Sequence, residues 1–575
     1  MERDDLEGLE VIFQRFGFLG LGILLLFLPY VIYDNVGYSG PLYIGMEFFI
    51  TLVGFILVVF STLSWKNKEI GKRKLRFITF LLLSAISTLI IIIGLSQRAI
   101  YTDELAIEML SAKRIMSGLN PYGYNFGAAA LLSYGVPLSS LTPTITGGYI
   151  SSLQYPDLMV LLLIPFYYFH IDPDILLFVM TIILLWIIAN EFIARKMIFM
   201  VPLAIAVSLF NINLIFFSYD GITDIVWVVF LSLSLVTLQK RYQPGIFFGL
   251  SVAAKQLPVF ILPFLLIFIY KRYGVKRAIE FMFFALLIFF ALNAPFIIAN
   301  AGLFFRAVLA PESSPLLGIG FGLSQIYFSG YVPFADSEFF TILMVCVWLF
   351  FIIIYLEKFE TLKYSLTVLP IIVVIFNYRL LENYIMYWPI ITMTTIPYII
   401  SKNKENYSPS DNVILKSKVS NFLSKVKLNE KMTRKIYNVA LLIIIIFIVS
   451  VPVFVLVEND YSHRNEIKIV SATISATIPG GYADSLTLNM TYGAGISNTS
   501  MNFRILEDGF LNNPNGFFWK EKQLANNKIL DFAVYSLYTN NTSEYLLANN
   551  SYIIIAYNQY TETWYHITVG KNLIF

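Results

Sequence analysis

The sequence predicts a polytopic α-helical membrane protein with about 13 membrane helices and a β-sandwich-like extracytoplasmic domain at its C-terminus. Three features of the 575-residue chain indicate this fold class: an apolar composition, a series of apolar runs of spanning length, and a change of character after residue 457. Hydrophobic residues make up 57% of the chain and charged residues 13%, whereas soluble proteins average about 25% charged residues. Because a soluble protein must cover its surface with polar groups, lipid is the solvent that fits this composition.

The scarce residue types exclude several classes of protein. The single cysteine, Cys346, rules out a disulfide within the chain and a cysteine-based metal site. The histidines His170, His463 and His566 form no ligand pair at helical spacing, which argues against a zinc enzyme. The net charge is only +3, and we expect no nucleic-acid partner. The first apolar run follows the acidic stretch 2–10, which predicts a retained helix rather than a signal peptide.

Apolar runs of spanning length recur through the first 457 residues. A helix that crosses the bilayer needs about 17–25 apolar residues. Residues 157–169 are apolar but too short to cross, and 245–270 is broken by Lys255, Gln256 and Pro258, which predicts two short helices that meet at a polar break. The predicted spans are 16–33, 42–63, 77–95, 174–193, 198–217, 222–238, 277–298, 339–356, 364–378, 385–400 and 437–457.

Basic clusters predict the orientation, because short cytoplasmic loops carry an excess of Lys and Arg. The clusters all fall on one face if 157–169 lies along or re-enters the outer interface, and if 245–270 returns to its starting side. We therefore expect a multi-pass protein of the cell membrane with a cytoplasmic N-terminus and an extracytoplasmic C-terminus. The clusters lie at 65–76, 195–196, 240–241, 271–277 and 401–435. The predicted parts are two extra N-terminal helices (1–75), a transmembrane core (76–400) with external loops 96–156 and 299–338, a basic cytoplasmic linker (401–436), a last helix (437–457) and an external domain (458–575).

The tail from residue 458 has the pattern of an external β domain. Asn, Thr, Ser and Tyr become frequent, and alternating segments at 466–478, 485–492 and 552–560 predict strands. A β-sandwich is the fold expected for this many short strands. Glycosylation sequons cluster in the tail, although an Asn-rich sequence also produces them by chance. The candidate sites are Asn489, Asn498, Asn540, Asn541 and Asn549.

Charged residues gather on the predicted outer face, where they are candidates for a functional site. Lys255 and Arg379 could neutralise the phosphate of a lipid carrier. Asp103 or Glu104 could accept the proton of a hydroxyl acceptor. Asp224, with Asp220 four residues before it, could orient the acceptor or hold a divalent cation such as Mg or Mn.

Each candidate also has a structural alternative. Asp103 and Glu104 could be an ordinary charge pair at the start of a helix. Asp220 and Asp224 could cap a helix. Lys255 could extend to the membrane interface, and Arg379 could form an ion pair with Glu382.

The order of these segments resembles the GT-C superfamily of membrane glycosyltransferases, and within it the prokaryotic mannosyltransferase-like proteins. The resemblance covers about residues 77–400. The chain lacks the Trp-Trp-Asp signature of oligosaccharyltransferases. Residues 1–75 and 458–575 lie outside the resemblance. The segments that carry it are Tyr101-Thr102-Asp103-Glu104 with Gly118-Leu119-Asn120-Pro121-Tyr122, then Tyr155-Pro156, Gly221-Ile222-Thr223-Asp224, Gly249 to Gln256 before Leu257-Pro258, and the turn from Arg379 to Tyr384.

The resemblance implies a GT-C-like catalytic core and an inverting hexosyltransferase. Asp103 would be the general base, Glu104 the second acid of its motif, and Asp224 the acid near the lipid phosphate or metal. Lys255 and Arg379 would contact the phosphate. The partners would be membrane lipids, a sugar linked to polyprenyl or dolichyl phosphate, and a glycan, lipid or protein acceptor.

Two other functional classes remain open from the sequence. Broken helices with charged residues also suit a secondary transporter or a flippase-like protein of cell-envelope polysaccharide pathways. A non-catalytic scaffold that displays the β domain is the third hypothesis. A transporter would show repeat symmetry and a site near the bilayer midplane, whereas these acids cluster at one face.

Overall fold

The computed structural model describes most of the predicted membrane core and most of the β domain. Helices and sheets occupy separate stretches of the chain, as the sequence predicts. The described residues are 13, 15–27, 41–62, 72–95, 102–137, 140–144, 149–211, 213–310, 316, 337–397, 467–478, 482–491, 501–507, 516–527, 532–540, 544–547, 550–557 and 562–569. The predicted linker 401–436, the helix 437–457, most of the loop 299–338 and the candidates Asn498, Asn541 and Asn549 lie outside them.

The N-terminal three-quarters of the described chain is helical. A short 3-10 segment, Leu257–Ile261, separates two of the helices. The helices are α1 (Arg15–Phe27), α2 (Pro41–Thr62), α3 (Lys72–Leu95), α4 (Asp103–Met116), α5 (Ala128–Ser133), α6 (Leu158–Phe169), α7 (Asp174–Ala194), α8 (Val201–Phe210), α9 (Asn213–Tyr219), α10 (Ile225–Val236), α11 (Gln243–Ala254), α12 (Leu262–Tyr273), α13 (Val275–Val308), α14 (Ser337–Glu357), α15 (Phe359–Leu362), α16 (Leu369–Val374) and α17 (Glu382–Met393).

Three of the described helices are long and apolar enough to cross a membrane: α7, α13 and α14. Other apolar helices of the bundle are shorter, among them α6, α10 and α11. The membrane character predicted from composition is therefore supported by a small set of long helices.

Helix α6 has the short length that the sequence predicts for residues 157–169. Its 12 residues span about 18 Å at 1.5 Å per residue, well short of the roughly 30 Å hydrocarbon layer. The helix ends where His170 adopts a left-handed conformation with φ 54°. Its N-terminal half is buried, and the helix packs against α4.

The polar break predicted in 245–270 is present. Helix α11 ends at Ala254, and Lys255 follows in an extended conformation with φ −157° and ψ 154°. Pro258 then starts the 3-10 segment that leads into α12. The extended backbone turns the Lys255 side chain away from the helix axis and into the bundle, where only 5% of the residue is exposed.

Helix α13 is longer than the predicted span 277–298. It continues to Val308 across a kink at Asn300, whose φ of −165° and ψ of 93° are not helical. Residues 301–308 of the predicted loop 299–338 are therefore helical. This extension brings the Val308 carbonyl to the site, where it accepts a hydrogen bond from Gln256 at 2.7 Å.

The tail forms two antiparallel sheets that share one core. One sheet has the order β1-β2-β5-β4, with β6 on β2, and the other has the order β3-β7-β8. Leu486 and Leu488 of the first sheet pack with Ile505 and Ile554 of the second. The strands are β1 (Lys468–Ile478), β2 (Tyr482–Thr491), β3 (Asn502–Glu507), β4 (Lys520–Asn527), β5 (Phe532–Tyr538), β6 (Leu546–Leu547), β7 (Ser551–Tyr557) and β8 (Glu562–Thr568).

Candidate active site

Three charged side chains that are far apart in the sequence meet inside the helical bundle, and we call them the charge cluster: Glu104, Asp224 and Lys255. The Lys255 Nζ lies 2.9 and 3.1 Å from the two carboxylate oxygens of Glu104. It also lies 3.0 Å from Oδ2 of Asp224. One buried ammonium group therefore binds two carboxylates, which compensates the cost of removing it from water.

Asp224 is fixed by further hydrogen bonds and is fully buried. It precedes the first residue of α10, but its side chain does not cap that helix. Instead, its carboxylate accepts hydrogen bonds from Trp227 Nε1 and Asn383 Nδ2 in addition to Lys255. Both carboxylate oxygens thus accept hydrogen bonds, and these bonds hold Asp224 in place next to Lys255.

A second polar group lies next to the charge cluster, around Asp103. The Thr142 backbone N–H donates to Oδ2 of Asp103 at 2.7 Å. The Thr142 hydroxyl accepts a hydrogen bond from Nη2 of Arg379 at 3.1 Å. The other terminal nitrogen, Nη1, is buried and meets no acceptor among the described residues. Arg379 therefore keeps one guanidinium nitrogen for a further partner.

Both groups open into one cavity of about 210 Å³. We call it the site cavity. It lies between α4, the polar break after α11, the end of α13 and the turn before α17. Its polar lining combines acids, bases, amides and hydroxyl groups: Asp103, Glu104, Thr142, Ser152, Gln154, Tyr155, Lys255, Gln256, Asn377, Arg379 and Tyr384.

Helix α4 presents its acids to the site because its first turn is fixed in place. Thr102 caps the helix by accepting from the Leu105 N–H at 3.2 Å. The same hydroxyl donates to the carbonyl of Gly221 at 2.8 Å. Gly221 has φ 70°, a conformation that favours glycine. This bond ties the first turn of α4 to the turn that carries Thr223 and Asp224.

Two tyrosine rings enclose the ammonium group of Lys255. Its Nζ lies 4.9 Å from the ring centre of Tyr155 and 5.7 Å from that of Tyr384. Both distances are within the range of cation–π attraction. Flat aromatic faces beside a charged group also suit a ligand with both apolar and polar surfaces.

Burial shifts the proton affinity of Asp103. It raises the pKa of this carboxyl above its usual value, while the hydrogen bonds from Thr142 and the charge of Arg379 act in the opposite direction. A carboxyl group with a raised pKa is a stronger base when ionised. It is therefore better suited to accept a proton from a hydroxyl group near neutral pH.

Most sequence-predicted residues converge on the site, but Asp220 does not join the charge cluster. Asp103, Glu104, Lys255 and Arg379 line the site cavity, and Asp224 binds Lys255. Asp220 lies instead close to Asp174 at the start of α7. Asp220 follows the last residue of α9, and a turn at 220–224 separates it from Asp224, which precedes α10.

The structure bears on three structural alternatives for the candidate residues. Lys255 does not extend to an interface, because it is buried and paired with two acids. Glu382 accepts a hydrogen bond from Asn213, whereas Arg379 donates to Thr142. Asp103 and Glu104 do lie in the first turn of α4, as the helix-start alternative predicts. They also line the site cavity.

Three residues in or beside the site were not predicted from the sequence: Glu108, Thr142 and Asn383. Glu108 follows Glu104 by four residues, so helical spacing could have placed both on one face of α4. Asn383 lies within the turn that was noted at 377–384. Thr142 has no local signal, because its role depends on contacts with residues 39 and 237 positions away.

The described residues contain no group of three or more His, Cys, Asp or Glu side chains placed to hold a metal ion. The divalent cation stays a prediction.

Among the glycosylation candidates, Asn489 lies in the middle of β2 between β1 and β5, and Asn540 is exposed after β5. Asn540 is therefore the more accessible of these two.

Comparisons of the chain with protein-family models, with curated proteins and with solved structures give no match.

Proposed function

We propose that the protein is a membrane glycosyltransferase of the GT-C type, with about 13 membrane helices in the whole chain. It moves a hexose such as mannose from a polyprenyl or dolichyl phosphate to a glycan, lipid or protein acceptor at the outer membrane face. The observation that carries the proposal is the convergence of Asp103, Glu104, Lys255 and Arg379 on the site cavity. These residues come from segments up to 276 positions apart, yet all belong to the motifs that suggested the activity.

The chemistry follows from the two polar groups. Asp103 accepts the proton of the acceptor hydroxyl, whose oxygen forms a bond with the anomeric carbon of the sugar. The bond between that carbon and the phosphate oxygen breaks on the opposite side, which inverts the anomeric configuration. The phosphate leaves with the bonding electron pair, next to a cation.

Arg379 is the better of the two predicted phosphate contacts. Its Nη1 is buried without an acceptor among the described residues, and a guanidinium fork matches phosphate geometry. Lys255 is already bound to Glu104 and Asp224. In the resting site it therefore offers less positive charge to an anion than the sequence suggested.

Replacement of Asp103 by Asn tests the proposal. Membranes that contain the Asp103→Asn protein are supplied with labelled polyprenyl-phosphate sugars, and transfer of label to acceptor is measured. We expect a loss of about 100-fold or more, because general-base catalysis contributes roughly that much. The matched control is Asp220→Asn, which changes an acid outside the charge cluster and should retain transfer. Undiminished transfer by Asp103→Asn would contradict the mechanism.

A secondary transporter or flippase is the second candidate, favoured by the buried ion pair beside a broken helix. It would move the lipid-linked sugar across the membrane without breaking the bond between sugar and phosphate. Sealed vesicles with labelled donor separate the two functions. Transfer produces labelled acceptor, whereas transport changes only the side on which intact donor is found.

A further inference from the structure

Glu108 is a buried acid next to the charge cluster that has no cation of its own. It lies one turn after Glu104 on the same face of α4, and only 1% of it is exposed. Its Oε2 has no hydrogen-bond partner among the described residues. An ionised carboxylate in such surroundings is costly, so Glu108 is expected to hold a proton.

The surroundings of Glu108 favour the protonated form. Burial raises the pKa of Glu108 well above its usual range, and the negative charge of Glu104 acts in the same direction. The ammonium group of Lys255 and a hydrogen bond from the Thr223 hydroxyl act against them, but the ammonium group is already bound to two carboxylates and the Thr223 hydrogen to Glu104. The titratable and charged groups that face Glu108 are Glu104, Asp224, Lys255, Tyr122 and, beyond Tyr122, Asp157.

The hydroxyl of Thr223 connects the two acids of α4. It donates its hydrogen to Oε1 of Glu104 and also lies beside the carboxyl group of Glu108. A hydroxyl group has one hydrogen and two acceptor lone pairs. Because the hydrogen is given to Glu104, a hydrogen bond between Thr223 and Glu108 requires Glu108 to be the donor.

We propose that Glu108 is a positioning residue that passes its proton through the Thr223 hydroxyl to Glu104 when the anionic donor binds. The Glu108 proton moves to the oxygen of Thr223, and the hydrogen of Thr223 moves to Oε1 of Glu104. Glu104 becomes neutral and Glu108 becomes the carboxylate, so no proton enters from solution. This inference rests on the proposed function, which supplies the anion.

The proton shift moves negative charge away from Lys255, where the phosphate of the donor would bind. In the resting cluster one cation faces two carboxylates, so an incoming phosphate meets an excess of negative charge. After the shift, the negative charge lies about one helical turn, roughly 5.4 Å, farther along α4. The hydrogens of Lys255 that pointed to Glu104 become free for the phosphate.

The test uses the full-length protein in detergent, with farnesyl phosphate as the probe. Binding is followed by calorimetry in buffers of different ionisation enthalpy, which counts the protons taken up. The wild type should take up close to none, and its affinity should change little with pH. Glu108→Gln keeps the size of the side chain but has no proton to give. Its affinity should fall with rising pH by up to about tenfold per pH unit, because one proton must now come from solution.

Changes at Thr223 separate a proton path from a structural role. Thr223→Val removes the hydroxyl at constant shape and should reproduce the pH dependence of Glu108→Gln, whereas Thr223→Ser should restore wild-type behaviour. The matched control is Ser111→Ala, because Ser111 is also buried on α4 and its hydroxyl has no partner among the described residues. In transfer assays, the Glu108→Gln effect should fall on the KM for the donor, with kcat changed less than about threefold.

The outcomes distinguish the inference from the proposed function. Transfer activity combined with a flat pH dependence in both Glu108→Gln and Thr223→Val overturns the inference and leaves the glycosyltransferase. Proton uptake by Glu108→Gln and Thr223→Val but not by the wild type, without any sugar transfer, supports the relay and overturns the glycosyltransferase. A wild type that binds no farnesyl phosphate overturns both.

Discussion

At the scale of single residues, the stability of the site depends on Lys255. A buried ammonium group is tolerated because Glu104 and Asp224 bind it at 2.9 and 3.0 Å. Removal of one member of such a group leaves uncompensated charge in a medium of low dielectric constant. The sequence predicted that Lys255 is near the acids, since it belongs to a polar break in an apolar stretch. It could not predict that two carboxylates share the cation, because that depends on three separate segments.

The first prediction concerns this cation. Lys255→Met leaves two buried carboxylates without their partner, and we expect a loss of about 3–5 kcal/mol in the free energy of unfolding. Thermal unfolding of the purified protein in detergent measures the change. Lys363→Met is the matched control, since Lys363 pairs with the exposed Glu360 and should cost about 1 kcal/mol or less. Equal shifts for the two variants would show that the charge cluster does not hold the bundle together.

The second prediction concerns the pH dependence of transfer. The base Asp103 must be ionised, and burial raises its pKa, so kcat/KM should fall as the pH decreases through this raised value. The charge of Arg379 lowers the same pKa, so Arg379→Gln should move the acid limb to higher pH. A pH profile of kcat/KM for the two proteins measures the displacement.

The control for this profile is Arg241→Gln, which removes an exposed cation paired with Glu280 far from the site cavity. In this variant, the decrease of kcat/KM at acid pH should occur at the same pH as in the wild type. An Arg379→Gln limb that stays in place, or moves to lower pH, would exclude Asp103 as the group whose ionisation controls the reaction.

At the scale of elements, the break after α11 positions the cation, and the neighbouring helix α13 positions α11. Sequence patterns predicted both the break and the shortness of α6, because Pro258, Lys255 and an apolar length of about 13 residues are local signals. The extension of α13 to Val308 was not predicted. The helix resumes after its kink at Asn300, whose side-chain oxygen accepts a hydrogen bond from the Leu303 N–H at 3.0 Å, as in an N-cap.

Gly249 allows α11 and α13 to approach closely. A Cβ atom at this position would lie 2.5 Å from the carbonyl oxygen of Ala285, which is part of the α13 backbone. Gly249→Ala should therefore push the helices apart and destabilise the protein by about 1–3 kcal/mol. The donor KM should also rise, because Lys255 lies at the end of α11.

Thermal unfolding and the donor KM check this prediction together. Gly302→Ala is the control, since a Cβ atom there would come no closer than 3.4 Å to its nearest neighbour, the side chain of Asn300. That variant should keep wild-type stability. If Gly249→Ala is equally stable, the close contact between α11 and α13 is not required for the fold.

At the scale of the whole molecule, composition predicted the two parts of the chain, and charge distribution predicted how they face the membrane. The apolar excess and the alternating pattern of the tail are properties of many residues together. Errors of a few residues in helix bounds therefore do not change them. Convergence of the site residues is a different kind of property. It depends on contacts across more than 100 positions, such as Thr223 with Glu104, and only the order and sidedness of the motifs indicated it.

Sidedness itself gives the last prediction. Because basic clusters are retained in the cytoplasm, the loop 65–76 and the β domain should lie on opposite sides of the membrane. In a Cys346→Ala background, a single cysteine replaces Lys68 in that loop or Asn540, which is exposed after β5. A membrane-impermeant maleimide added to intact cells should label Asn540→Cys at once and Lys68→Cys only after permeabilisation. The protein with Cys346→Ala alone is the blank. Equal labelling of both positions in intact cells would place them on the same side, and an outer-face site fed by a lipid-linked sugar would then lose its topological basis.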